Sequence, residues 1–367
     1  MKVILMNTYS MEKAYKDWKD GITPSHHLWG KIELERRGKV EMEIQRFEKY
    51  KLINTIGKFF KIEFLDQQLR ILWHSKKYDI IYAPNGSGNT KLLVISKILG
   101  LLSTPIVIIA HQPQFVAPDQ PSRLKKNLAK ILMLKFDAMV FLSHRMKYDT
   151  GVNYKIPPAE SNKKFFHLDW GADNNFYKSY SNLKPVKETG YAISAGTTLR
   201  DIDTLIEAFR GVDFPLKIFT TPQHLPSIKD IPSNVTLYTE GTTYKNLLEE
   251  YNNARIILVP MKISDNPDNT HGLTSLLDVM VMGKPVIITR NKNLDLDVEK
   301  EGIGFWANRY DPIHWRKLIN EIIFEEECLE KMGQKSLALY HKKYNAERFA
   351  EGLEGVFLDI YNKNCDK

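Results

Sequence analysis

A chain of 367 residues, 43% hydrophobic and 26% charged, is too long for one small core and too apolar for disorder, so two soluble globular domains are expected. The net charge of +8 is uneven: residues 1–175 hold 28 Lys and Arg against 17 Asp and Glu, a balance of +11, leaving 24 against 27 beyond. The basic half is therefore expected to attract an anionic lipid or acceptor, and the absence of a recognisable binding module argues against nucleic acid. No signal peptide is evident, and Cys328 and Cys365 form no metal-ligand spacing, so a reduced, cytoplasmic setting is expected.

In chain order, KVILMN (2–7) predicts a strand and HHLWGKIELERRG (26–38) a helix closed by Gly38. KVEMEI reads as a strand, and a long amphipathic region over about 55–76 precedes the strand DIIYAP (79–84). The apolar stretch 92–110 contains Lys97, Gly100 and Pro105, so it is read as a helix, a turn and a buried strand rather than a membrane span. A basic helix and the strand AMVFLS (138–143) follow, and 164–179 has no clear period and reads as a linker. The alternation then restarts with YAISAG (191–196), DIDTLIEAFRG, LKIFTT, VTLYTE, YKNLLEEYNNA and RIILVP. Strands separated by helical patterns predict two parallel, doubly wound α/β domains: an N-terminal one over 1–170 and a C-terminal one over 171–345. The residues 346–367 form a final helix that is expected to return to the first domain.

HGLTSLLDVMVMGKPVI (271–287) packs a turn, an apolar helix and a buried strand into one short run. In open α/β sheets ligands bind beyond the carboxyl ends of strands, and this turn leaves RIILVP through MKISDNPDNT into a helix N-terminus. Free amides there favour a phosphate, Gly272 allows close approach, and Thr274 and Ser275 add hydroxyl donors. Asp278, one turn further in, suits vicinal ribose hydroxyls. A plain capped helix, with Asp278 easing the dipole, explains the same residues without a ligand.

GLTSLLDVMVMGKPVI resembles the donor-nucleotide signature of the GT-B glycosyltransferases, in particular the retaining family-four-like enzymes. YAISAGTTLRDIDTLIEAF resembles the unit that opens their C-terminal domain, HLDWGADNNFY (167–177) their interdomain segment, and IVIIAHQP (106–113) their strand ending in His. The similarity is good over 165–310 and holds only in outline over 1–160. It implies a GT-B fold, two Rossmann-like domains facing across a cleft. It implies a hexosyl-type glycosyltransferase (EC 2.4) moving sugar from a UDP- or GDP-linked donor to a lipid-linked or saccharide acceptor. Transfer would retain configuration without a metal or other cofactor.

Under the resemblance, Arg200 contacts the donor diphosphate and His111 faces the donor sugar, making these two the catalytic pair. Gly196, Thr197, His271, Gly272, Leu273, Thr274, Ser275 and Asp278 line the donor site, with Lys262 as companion to the arginine. Gly21, in DGITPSHH, belongs to the loop after the first strand. An arginine and helix-end amides stabilise a leaving diphosphate without a metal. The sequence departs from the family pattern of two glutamates eight positions apart: the second is Asp278, and the first position is Thr270. Two alternatives follow. One is a GT-B protein that binds nucleotide sugar without transferring it. The other is a nucleotide-sugar epimerase, which would need catalytic carboxylates in the first half, with Asp17, Asp20 and Asp119 as the loop candidates.

Other motifs read as structural. NGSGNTKLL (85–93) lacks the P-loop spacing, DID (201–203) and DLD (295–297) are short acidic tripeptides, and His26-His27 has no partner at ligand spacing. RLKKNLAKILMLKF (123–136) places Lys125, Lys126 and Lys130 on an amphipathic helix. That suits either a solvated core-facing helix or peripheral docking on the anionic inner face of a membrane.

Overall fold

Runs such as Ile80–Ala83 and Ile106–Ala110 are buried at every position, the composition of central parallel strands covered on both faces. The structure, a computed structural model, describes residues 1–115, 123–178, 182–264 and 269–365. The chain divides into two compact units, Met1–Trp170 with Ala346–Lys367, and Gly171–Asn345.

The first unit runs β1 (Lys2–Leu5), α1 (Met11–Lys19), α2 (Lys31–Arg36), β2 (Glu41–Ile44), α3 (Lys51–Phe59), α4 (Leu65–His74), β3 (Ile80–Ala83), α5 (Lys91–Ile98), β4 (Ile106–Ala110), α6 (Arg123–Met133), β5 (Ala138–Phe141), α7 (His144–Asn153), α8 (Pro158–Lys164) and β6 (Phe165–His167). Its sheet is parallel in the order β2-β1-β3-β4-β5-β6. Ile71 of α4, Val94 of α5 and Met133 of α6 share one core with Ile4, Ile81, Ile108 and Met139 of the strands.

The second unit runs α9 (Asn174–Tyr177), β7 (Tyr191–Ala195), α10 (Ile202–Phe209), β8 (Leu216–Phe219), β9 (Val235–Tyr238), α11 (Tyr244–Asn253), β10 (Ala254–Val259), α12 (Leu273–Val281), β11 (Val286–Thr289), β12 (Gly304–Ala307), α13 (Pro312–Ile322) and α14 (Glu326–Lys342). Its sheet is also parallel, in the order β12-β11-β10-β7-β8-β9. The last helix, α15 (Ala346–Cys365), is part of the first unit. There Phe357 meets the Tyr82 ring at 5.2 Å, and buried Glu354 pairs with Arg37 at 2.6 Å and Lys39 at 3.4 Å. No helix among the described residues is long and apolar enough to cross a membrane.

Three expectations change. The run 26–38 is two pieces, a 3-10 turn over Ser25–Leu28 and α2, because Trp29 and Gly30 both take left-handed backbone between them. The region 55–76 is a hairpin of α3 and α4, since Phe64 turns left-handed ahead of Leu65. The expected linker contains β6, which adds an edge strand to the first sheet by pairing with β5, and α9.

Candidate nucleotide site in the second unit

The loop ahead of α12 is held by side-chain amides. Asn291 Nδ2 donates to the carbonyls of Asn269 (3.2 Å) and His271 (3.0 Å), and Asn293 Nδ2 donates to Asn269 (3.3 Å). The His271 amide closes on Asn269 Oδ1 at 3.1 Å. Helix α12 then starts from Gly272 at φ 98° with no side-chain cap; the Thr270 carbonyl takes the Leu273 amide, and the Thr274 and Ser275 amides of the first turn keep their capacity for an anion. A Cβ at position 272 would also press to 3.2 Å from Ile288. Leu273 is buried beneath the turn, Thr274 is exposed and Ser275 half-buried.

Arg200 comes from the loop after β7. An isolated antiparallel bridge joins it to Met261, and Lys262 N–H donates to the Leu199 carbonyl at 2.7 Å. Its Nε donates to the Ala195 carbonyl at 3.0 Å, one terminal nitrogen to Met261 Sδ and the other to Ser275 Oγ. The guanidinium lies against Gly196, where φ is 125° and a Cβ would sit 2.7 Å from Arg200 Nε. Only glycine fits there. Neighbouring β7 and β10 carry connections that depart to opposite sides of the sheet. Arg200 and the start of α12 therefore meet at the topological switch point, the usual crevice for a ligand in this architecture. Burial lowers the Arg200 pKa, opposed by Tyr251 and Asp278, and a guanidinium stays charged under such a shift.

One turn into α12, Asp278 is 6% exposed. Tyr177 OH donates to its Oδ1 at 2.9 Å, Tyr244 OH donates to the same oxygen, and the two hydroxyls touch each other. Among the described residues no donor reaches Oδ2, which leaves that oxygen available to an outside hydroxyl. Burial pushes the carboxyl up to about 6 against the lowering pull of Tyr244, Tyr177 and Arg200. Tyr177 stands in α9 behind the Asp173 cap and Tyr244 opens α11 behind the Thr243 cap. Sequence reasoning missed both, because nothing in their spacing links positions 177, 244 and 278.

Thr197 is half-buried just after Gly196. Lys262 is exposed, and its Nζ lies 4.0 Å from Asp203 Oδ2 rather than beside the arginine fork. Thr270 is buried, and its carbonyl accepts the Leu273 amide at 3.1 Å.

In the first unit His111 follows β4 and stacks on Trp29 at 5.6 Å between ring centroids, while Trp29 stacks on Trp170 at 5.1 Å. Trp29 Nε1 donates to Tyr9 OH at 2.8 Å, and Tyr82 OH donates to the Trp29 carbonyl at 3.1 Å. This aromatic nest was legible only as a lone histidine at a strand end. Burial holds His26 well below its usual range, helped by His27, and pulls His27 down to about 4, so both rings are neutral packing elements of this nest.

Gly21 is a correction: it lies beyond α1 and ends that helix, its amide donating to the Trp18 carbonyl at 2.9 Å. Ser10 caps α1 directly after β1, so the loop that follows the first strand is the short stretch 6–10. Asn7 and Thr8 of that loop accept from Asn85 Nδ2. The NGSGN segment is a 3-10 turn tied to Gln114, whose Oε1 accepts the Ser87 amide at 2.7 Å. Asp201 caps α10, Asp203 Oδ1 accepts the Ser227 and Ile228 amides, and Asp297 Oδ1 accepts Trp306 Nε1 at 2.9 Å. Lys125 is exposed and Lys126 half-buried on α6, and Lys130 donates to the Lys155 carbonyl. Asp17 and Asp20 lie at the end of α1, and Asp119 lies outside the described residues.

No protein-family model matches the chain, and no curated protein matches it in sequence. Solved structures do match over their full length. A glycosyltransferase from Rickettsia africae superposes with a TM-score of 0.66 at 14% identity, covering 98% of each chain. Sucrose-phosphate synthase from Thermosynechococcus elongatus gives 0.65 at 14%, covering 99% of this chain and 100% of that one. HepE of Anabaena, in complex with UDP and glucose, gives 0.64 at 12%, covering 98% and 99%. Two parallel six-stranded sheets with flanking helices, matched end to end by these enzymes, define the architecture: the chain has the GT-B fold.

Proposed function

We propose that the protein is a glycosyltransferase that takes a hexosyl group from a UDP- or GDP-linked donor and passes it to a lipid-linked or saccharide acceptor. The observation that carries this reading is the meeting of Arg200, Ser275 and the uncapped α12 amides at the β7/β10 switch point, with the Asp278 carboxylate one turn away. A diphosphate would lie on the amides and Arg200, and the ribose hydroxyls would donate to Asp278 Oδ2. As the glycosidic bond breaks, charge grows on the leaving diphosphate, and the fixed guanidinium stabilises it where it develops. No metal is needed for that step. The resemblance of the site sequence to retaining enzymes supports transfer with retention, the leaving phosphate itself taking the acceptor proton. The structural neighbours named for UDP and glucose, and for sucrose-phosphate synthesis, support a nucleotide-sugar donor.

Peripheral contact with an anionic membrane through Lys125, Lys126 and Lys130 is part of this proposal, motivated by the +11 balance of the first 175 residues. The competing reading is nucleotide-sugar binding without transfer. It draws on Thr270, which is buried and not acidic where the related pattern has a glutamate. The discriminating experiment is calorimetric titration with UDP and GDP, followed by mass spectrometry of donor turnover with and without saccharide and lipid-linked acceptors. Nucleotide binding with neither hydrolysis nor transfer would favour the binding protein. Absence of binding to either nucleotide would overturn both readings.

A further inference from the structure

Helix α3 is built inside out. Its buried positions are Asn54 and Gly57, where a core-facing helix would carry large apolar side chains. Asn54 Oδ1 accepts the Asp66 amide at 3.0 Å, and its Nδ2 donates to Glu48 at 3.4 Å. At Gly57 a Cβ would lie 2.4 Å from the Ile62 carbonyl oxygen and 2.6 Å from Leu65 Cβ, so α3 closes backbone-first on the turn into α4. Polar fixing and small size thus aim the apolar residues outward. Leu52 is 81% exposed, Ile56 55% and Phe59 83%, spaced i, i+4, i+7 along one stripe, with exposed Phe60 after them. On α4, Leu69 and Trp73 are exposed as well, again four positions apart.

Soluble surfaces rarely leave so much aliphatic and aromatic side chain contiguous and wet. The charges around the stripe select its partner. From Lys51 to Lys61 the segment carries three lysines, all exposed, and no acidic residue. A helix with large apolar side chains on one side and lysines beside them matches an anionic bilayer interface, where the apolar groups enter the acyl boundary and the lysines stay among phosphates.

We propose that α3 is a membrane-insertion helix, seating Leu52, Ile56 and Phe59 in the interface of an anionic bilayer. It rests on the peripheral-membrane part of the proposed function, and adds a hydrophobic anchor separate from the α6 lysines. The anchor acts through area removed from water, which salt does not screen, whereas lysine attraction weakens over a Debye length of about 10 Å at 0.1 M salt.

The test is flotation of the full chain with phosphatidylcholine vesicles, with and without phosphatidylglycerol. Three proteins are compared: wild type, Leu52→Gln/Ile56→Gln/Phe59→Gln, and Lys125→Glu/Lys126→Glu/Lys130→Glu. The wild type is expected to float with the anionic vesicles, and the α3 variant to partition about ten-fold more weakly or worse, since even part-burial of three such side chains is worth that much. If the α3 variant floats like wild type while the α6 variant does not, the insertion helix is overturned and lysine docking stands. If only the α3 variant is lost, insertion stands and the α6 reading falls. A wild type that floats with neither vesicle overturns both. Circular dichroism controls the fold of the triple variant. Should it fail to fold, Phe59→Glu alone carries the test: undiminished flotation of that protein overturns the proposal.

Discussion

Asp278 is the residue whose chemistry decides most. Its folded pKa of about 6 lies above the ordinary 3.8, because burial outweighs two phenol donors and Arg200. A raised carboxyl pKa means that ionisation costs folding energy. The wild type should hold its full stability below about pH 4, lose about 3 kcal/mol between pH 4 and 6, and stay at the lower level above. Asp278→Asn should abolish that fall in urea titrations across the same window. Nucleotide binding should show the opposite trend: if ribose hydroxyls donate to the carboxylate, affinity drops as pH falls through 6. Asp278→Ala should weaken nucleoside diphosphate binding by about 1.5–3 kcal/mol in calorimetry, the scale of a charged hydrogen bond. Unchanged affinity would leave the aspartate a role at the helix start only. Arg200 has three acceptors fixed by one planar fork, so Arg200→Ala should cut kcat by about 10²–10³, and Arg200→Lys should rescue little. Abolition by chelator with recovery on adding magnesium or manganese would instead point to a metal-assisted mechanism.

At the scale of elements, α12 was legible because its cues are local: Gly272 before an apolar run, hydroxyls in the first turn, an acid one turn on. The Asn269–Asn291–Asn293 clamp beneath it was not, since those amides come from loops far apart in sequence. The 26–38 run misled for a related reason. Its helical periodicity is real on each side, but Trp29 adopts φ 54° to reach His111 and Trp170, and tertiary stacking wins over local propensity. Strand β6 has too few residues for a period to show. For α6, three lysines near a surface at −30 mV would each gain up to about 1 kcal/mol, enough for reversible docking. Lys125→Glu/Lys126→Glu/Lys130→Glu should therefore reduce sedimentation with anionic liposomes at low salt, while activity on a soluble acceptor is unchanged. A wild type indifferent to such liposomes would make these lysines a solvated face.

For the whole molecule, strand and helix alternation was enough to read two doubly wound sheets, because parallel strands need a crossover and crossovers have a helical period. What the alternation leaves open is which unit each late helix joins. That depends on shape at the contact, such as Gly30, where a Cβ would meet Phe349 at 3.4 Å and Leu353 at 3.5 Å. Leu353 is fully buried, so Leu353→Ala should destabilise the first unit by about 2–5 kcal/mol in denaturant titration. A loss well below this range would mean that α15 is an ornament of that unit.

The return of α15 also sets an order of birth. The second unit is one uninterrupted stretch, Gly171–Asn345, whereas the first is encoded at both ends of the chain. During synthesis Gly30, Tyr82, Arg37 and Lys39 wait for partners that leave the ribosome only after the whole second unit, and that later-made unit is the first that is complete. Ribosome-bound chains arrested just after residue 345 should therefore yield to protease in residues 1–170 sooner than chains released at full length. Peptide 346–367 added in trans should restore that resistance.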